Sequence, residues 1–274
     1  MKRVLRPPLF FVFLVLLLAG NRTAKSGVIT VDFNSLAEGT IIDNEYSGQG
    51  LTLSATNSDT NTLTLYDSTK TGGQDPDLEG PPNDPWDGGN LAPSTNMGNL
   101  LIIADDTVDT SPSDGLIDDP NYDRHGGTIV AEFDFDLYSF GLSSVDSDGF
   151  QEQCCITLYN DGTLVGQVFF DDFTDSGSDF YDSTIAYGDD YANDFQDIWY
   201  TDPNENVAGG VSNPGNGTGT IGIFDEVHIN LGGSGGFDNF RYVQTPEPGT
   251  LAMMGLGLLG LGASARRKRK AARQ

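Results

Sequence analysis

Positive charge is what this chain has least of between its ends. Only Lys70, Arg124 and Arg241 of the 14 lysines and arginines fall in residues 27–244, where 39 of the 40 acids lie, so the body has a formal charge of −36. That balance excludes nucleic acid as a partner, because phosphate contacts need clustered cations. Cysteine is nearly absent too. Cys154 and Cys155 are the only two, so no disulfide framework holds the fold. Adjacent strand residues point to opposite faces, which leaves either one thiol on each face or, after export to an oxidising compartment, a disulfide between the neighbours. No helical stripe of apolar residues runs through the body. Zinc-type ligand spacing and the twelve-residue calcium loop closed by glutamate are both missing. His125 and His228 have no nearby nucleophile or metal-binding partner in the sequence, and the chain is not expected to be an enzyme.

What the body does have is strand pattern. Alternating or continuous apolar runs bounded by turn residues occur at 28–33, 51–55, 62–66, 100–104, 128–135, 137–143, 155–159, 164–170, 184–187, 198–200, 221–229 and 237–243. Asn160-Asp161-Gly162 predicts a hairpin between the seventh and eighth of these, since Asn, Asp and Gly tolerate the positive φ of a tight turn. The expected class is all-β: a two-sheet antiparallel β-sandwich of jelly-roll type, with a closed barrel as the alternative. Residues 70–99 and 188–219 are too long and too rich in Gly, Pro and Asp for tight turns, and read as loops.

Three segments follow from the ends. Residues 1–26 read as a signal peptide, with Lys2, Arg3 and Arg6 before an apolar stretch from Leu9 to Ala19. The body occupies 27–244. Residues 245–274 contain Pro246-Glu247-Pro248, an apolar run from Leu251 to Ala265, and the basic cluster Arg266-Arg267-Lys268-Arg269-Lys270. As a helix that run would reach only ~22 Å against a hydrocarbon core of ~30 Å, and four glycines weaken it further, so it is a marginal transmembrane span. The cations beside it hold that end on the cytoplasmic side of the inner membrane, with the body outside. Prolines on both sides of Glu247 keep the tripeptide extended.

In this order, motif, weak span and basic tail resemble the PEP-CTERM sorting signal of Gram-negative bacteria. The resemblance implies export, transit through the inner membrane, and recognition and cleavage by an exosortase. It implies nothing about what the protein does at its destination. The body resembles secreted jelly-roll modules in two sets of stretches. One is Val31-Asp32-Phe33, Glu38-Gly39-Thr40 and Gly50-Leu51-Thr52-Leu53, with the closing Gly233-Ser234-Gly235-Gly236-Phe237-Asp238-Asn239-Phe240. The other, Gly72-Gly73-Gln74-Asp75-Pro76-Asp77-Leu78, Gly98-Asn99-Leu100-Leu101-Ile102-Ile103 and Gly126-Gly127-Thr128-Ile129 with Val145-Asp146-Ser147-Asp148, is similar to a module of exported PEP-CTERM proteins. Several jelly-roll modules of this kind bind carbohydrate.

So acidic a body must be neutralised to stay compact, and calcium is the obvious neutraliser outside a cell. Asp75 and Asp77 fall on one side of an extended backbone, as do Asp146 and Asp148, and these with Asp238 are the candidate calcium ligands. Asp171-Asp172 and Asp189-Asp190 read as solvated. Trp86, Tyr122 and Trp199 stand in polar surroundings and are candidates for stacking on sugar rings. The expected role is that of a calcium-stabilised structural or adhesive protein of the cell surface or extracellular matrix. The alternative is a binding module for matrix or environmental polysaccharide, and a surface glycoside hydrolase comes third.

Overall fold

A computed structural model describes residues 28–146, 155–178, 180–199 and 223–245, the side chains of 196–199 apart. The signal peptide, the apolar run at 251–265 and the basic cluster lie outside the described residues. Within them, no helix is long and apolar enough to cross a membrane.

Eleven strands form the body: β1 (Ile29–Val31), β2 (Ile41–Ile42), β3 (Leu51–Thr56), β4 (Leu63–Asp67), β5 (Asn99–Ile103), β6 (Gly127–Val145), β7 (Cys155–Asn160), β8 (Thr163–Phe169), β9 (Ala192–Trp199), β10 (Phe224–Leu231) and β11 (Gly236–Gln244). The only helical segments among the described residues are short 3-10 turns, in keeping with the missing helical stripe. Antiparallel hydrogen bonding joins all the strands in one sheet, ordered β2-β4-β5-β11-β6-β10-β7-β8, with β1 added to β11 and both β3 and β9 added to β6.

The nineteen-residue β6 is the reason the sheet is continuous. Two runs broken at Asp136 were expected here, but the alternation of Phe133, Asp134, Phe135, Asp136 and Leu137 has no glycine or proline to stop it. Its first half pairs with β3 and β10, and its second half with β11 and β9. Between Glu132 and Leu137 the β10 register slips, a bulge that lets one strand exchange one set of neighbours for another. From Ser139 to Val145 every residue of β6 is buried, so both faces of that half are covered. A single apolar core draws on both halves, including Ile129, Ala131, Phe140 and Leu142 of β6. Edge-to-face aromatic pairs run through it, Phe133 to Tyr242 at 4.9 Å and Phe140 to Phe240 at 5.3 Å.

The β7–β8 hairpin forms as expected, with Asn160 opposite Thr163 and positive φ at Asp161 (47°) and Gly162 (70°). Two expectations fail. Residues 184–187 form no strand; Ile185 and Tyr187 instead lay their side chains on the main core from a loop. Residues 188–219 are not all loop, because β9 starts at Ala192, where Asn193 and Asp194 hid the strand pattern. Asn193 Nδ2 donates to the Ala186 carbonyl at 2.8 Å, and Asp194 Oδ1 accepts from Ser143 Oγ at 3.1 Å and pairs with Arg241 at 2.6 Å, so both polar side chains are spent inside the fold. Of the two cysteine readings the disulfide holds: Cys155 is disulfide-bonded, and the chain's one other cysteine, Cys154, lies outside the described residues.

Candidate metal centre

The loops before and after β4, after β5 and before β6 enclose a cavity of about 570 Å³ lined by Asp59, Asp75, Asp77, Asp105 and Asp123, with Gln74, Asn121, Tyr122, Arg124 and His125. Five carboxylates thus face a single guanidinium and one imidazole.

Local structure sets each of them. Asp75 precedes the 3-10 turn Pro76–Leu78, whose first position suits proline because no N–H is needed there. The Tyr66 hydroxyl donates to the Asp75 carbonyl at 2.5 Å, fixing that backbone against β4. Asp75 is 2% exposed, its Oδ2 has no hydrogen-bond partner, and burial, then the Asp77 charge, push its carboxyl up to about 7. Tyr122 pairs with Ala104 beyond the end of β5. Its phenol is pushed up to about 12 by burial, and by the charges of Asp75, Asp146 and Asp77 against a hydrogen bond with Ser234. The charges of three of the five aspartates expected to bind calcium thus act on one phenol, although Asp146 does not line the cavity. Asp146 takes positive φ (53°) as the chain leaves β6, a conformation that Asp tolerates.

The opposite wall comes from Asp59, Asp123 and His125. The Asn57–Asn61 turn between β3 and β4 presents Asp59, and Asn57 N donates to Asn61 Oδ1 at 2.9 Å across it. Asp123 is 2% exposed and held from both sides: Asn57 Nδ2 donates to Oδ2 at 2.7 Å and the His125 N–H to Oδ1 at 2.8 Å. His125 Nδ1 lies 3.2 Å from Asp123 Oδ1 and 3.5 Å from Asp59 Oδ2. Gly126 turns the chain into β6 with φ +67°, where a Cβ would fall 2.4 Å from the Leu231 carbonyl oxygen. Glycine is what lets this loop sit so close to β10.

The remaining candidates lie elsewhere. Asp238 is buried in a β11 bulge at positive-φ Asn239, where the backbone N–H groups of Asn239 and Phe33 bond to it and Oδ1 has no partner. Burial raises its carboxyl to about 7, and the nearby charges that act on it are Asp32 and Arg241, neither of which lines the cavity. Asp148 and the Trp199 side chain lie outside the described residues. Trp86 is 2% exposed in a satellite core with Tyr66, Leu78, Met97 and Leu100, its ring over Gly80 and its Nε1 donating to the Thr95 carbonyl at 2.8 Å. It has no free face for a sugar ring. Asp190, expected to be solvated, is pushed up to about 6 by burial and then by Asp77, Asp87 and Asp84, so the 188–191 loop closes on the acidic one. His125 is likewise not without partners. The sequence signal for it was Asp-x-His at 123 and 125, but Asp59 is supplied by a turn 66 residues away from His125, which spacing rules do not reach.

At the far end of the body, Gln244 closes β11, and from that residue the sequence changes character. Residues 244–268 match the PEP-CTERM protein-sorting motif. The PEP-CTERM match takes in Pro246, Glu247 and Pro248, the apolar run, and the basic cluster as far as Lys268. It supports an exported protein that transits the membrane and is processed by an exosortase, as the resemblance implied. No curated protein and no solved structure matches the chain.

Proposed function

We propose that this protein is a structural or adhesive component of the bacterial cell surface or extracellular matrix. Its β-sandwich body of jelly-roll type is locked by calcium after export, and its PEP-CTERM signal is cleaved at or near Pro246-Glu247-Pro248 to release it. Asp75 carries the calcium part of the reading. A carboxylate that is 2% exposed, with one oxygen unpartnered and further carboxylates beside it, is costly to keep ionised unless a cation joins it. Asp77 and Asp146 supply the next ligands, with carbonyl and amide oxygens from the surrounding loops completing the six to eight that calcium takes. Calcium would supply charge neutralisation and a cross-link between the loop after β4 and the end of β6.

Binding to the folded state alone stabilises it by RT ln(1 + [L]/Kd), about 2.7 kcal/mol at a hundredfold excess. Thermal melts in chelator, in chelator with high sodium chloride, and with calcium restored test the site. The expected result is a Tm several degrees lower in chelator, recovered by calcium and not by salt, with Asp75→Asn melting like the chelated protein. An unchanged melt in all three conditions removes the calcium site from the reading. Recovery by salt alone would reassign the effect to general screening.

A further inference from the structure

We infer that Asp59, Asp123 and His125 form a second site in the same cavity, one that takes a zinc-type transition-metal cation in preference to calcium. One ligand atom from each of the three lies within 4.8 Å of the others. The donor set differs in kind from the all-oxygen cluster around Asp75, because an imidazole nitrogen suits zinc, cobalt, nickel and copper, whereas calcium takes oxygen. Two carboxylates and one imidazole are also the right number for a three-ligand site with an open position for water.

Asp123 is oriented as a ligand needs to be. Each of its oxygens accepts one hydrogen bond, from Asn57 Nδ2 and from the His125 N–H, which leaves each a second lone pair and restrains the carboxylate in one plane. Asp59 and His125 are about half exposed, so a cation can enter from solvent, while Asp123 forms the buried base of the site. A second observation points the same way. Asp75, which lines this cavity, is buried and has one carboxylate oxygen with no hydrogen-bond partner, so the wall already carries acceptor capacity that the protein does not use. Its three ligands are none of those in the calcium reading, although the unpartnered oxygen of Asp75 supports both.

The chain has two histidines, which makes the test specific. The full-length protein, stripped of metal, is titrated with Zn²⁺ and separately with Ca²⁺ while the imidazole resonances of His125 and His228 are followed. Zn²⁺ at one equivalent is expected to shift His125 and leave His228, which contacts Glu226 on β10, where it was. Calcium is expected to shift neither. With Co²⁺ as a spectroscopic stand-in, wild type should show visible absorption that persists in excess calcium and is bleached by Zn²⁺. Asn57→Ala removes no ligand and should weaken Co²⁺ about tenfold by freeing Asp123, and His125→Ala should weaken it by more than that. Asp146→Asn should leave the Co²⁺ spectrum unchanged, whatever it does to calcium. A His125 resonance that ignores Zn²⁺, a response to Ca²⁺ equal to that for Zn²⁺, or equal Co²⁺ affinity in wild type and His125→Ala would each overturn the inference.

Discussion

Asp238 should make this protein more stable in mild acid than at neutral pH, and the size of the effect can be worked out. Burial raises its carboxyl from 3.8 to about 7 even with the Asn239 and Phe33 N–H groups favouring the charged form; Asp32 adds to the rise and Arg241 opposes it. Between those two values the folded protein holds a proton that the unfolded chain has already released. Stability from this group is therefore complete below about pH 4 and falls as pH climbs, until it is lost above about 7. Roughly three pH units at 1.36 kcal/mol each give a fall of about 4 kcal/mol across the window. The perturbation is Asp238→Asn, which keeps shape and an acceptor oxygen but cannot ionise. Urea unfolding of both proteins at several values from pH 4 to 8, in chelator, gives two profiles. Other acids, Asp75 and Asp190 among them, bend both profiles alike, so only the difference is read. That difference should shift by about 4 kcal/mol in favour of the variant between pH 4 and pH 8. Parallel profiles would refute the argument, and so would a difference that favours wild type increasingly as pH rises.

Trp86→Ala should cost about 3–5 kcal/mol in urea unfolding, because it empties the satellite core over Gly80. Any binding to polysaccharide by folded protein should survive the change; its loss with stability intact would restore Trp86 as a sugar contact. Replacing Pro246, Glu247 and Pro248 by alanine should leave the full-length protein in the inner-membrane fraction, read by fractionation and blotting, and normal release at normal size would contradict sorting through that tripeptide.

Strands were legible where side chains alternate between core and solvent, as in β3 and much of β11, or form a continuous buried apolar run, as in β4 and β5. They were illegible where polar residues are satisfied inside, as in β9, whose Asn193 and Asp194 bond to Ala186, Ser143 and Arg241. The two-residue β2 is too short to show a period. In the site, Asp75 and Asp77 were visible as neighbours, but the extended backbone expected there is wrong: Pro76–Leu78 is a 3-10 turn, and the two aspartates reach the same cavity from its start and its middle. The Asp59, Asp123 and His125 group was not, because its members meet only when the β3–β4 turn lands beside the loop before β6. Trp86 misled because its Asp, Pro and Gly neighbours read as solvent-facing, whereas the loop folds over and encloses the ring.

The place of β11 in the sheet has a consequence for how the protein leaves the cell. This last strand runs through the middle, between β6 on one side and β1 and β5 on the other. A chain threaded through a membrane from its N-terminus delivers this strand after all the others. Until residue 244 has crossed, β1 has no partner strand, β5 is paired with β4 alone, and β6 has an edge left open where β11 belongs. The PEP-CTERM segment begins at that same residue, so the sorting signal follows the central strand with no linker between them. A chain held by that signal until β11 has paired would keep the open edges of one copy apart from those of the next, and processing would then act on a molecule whose sheet is already complete.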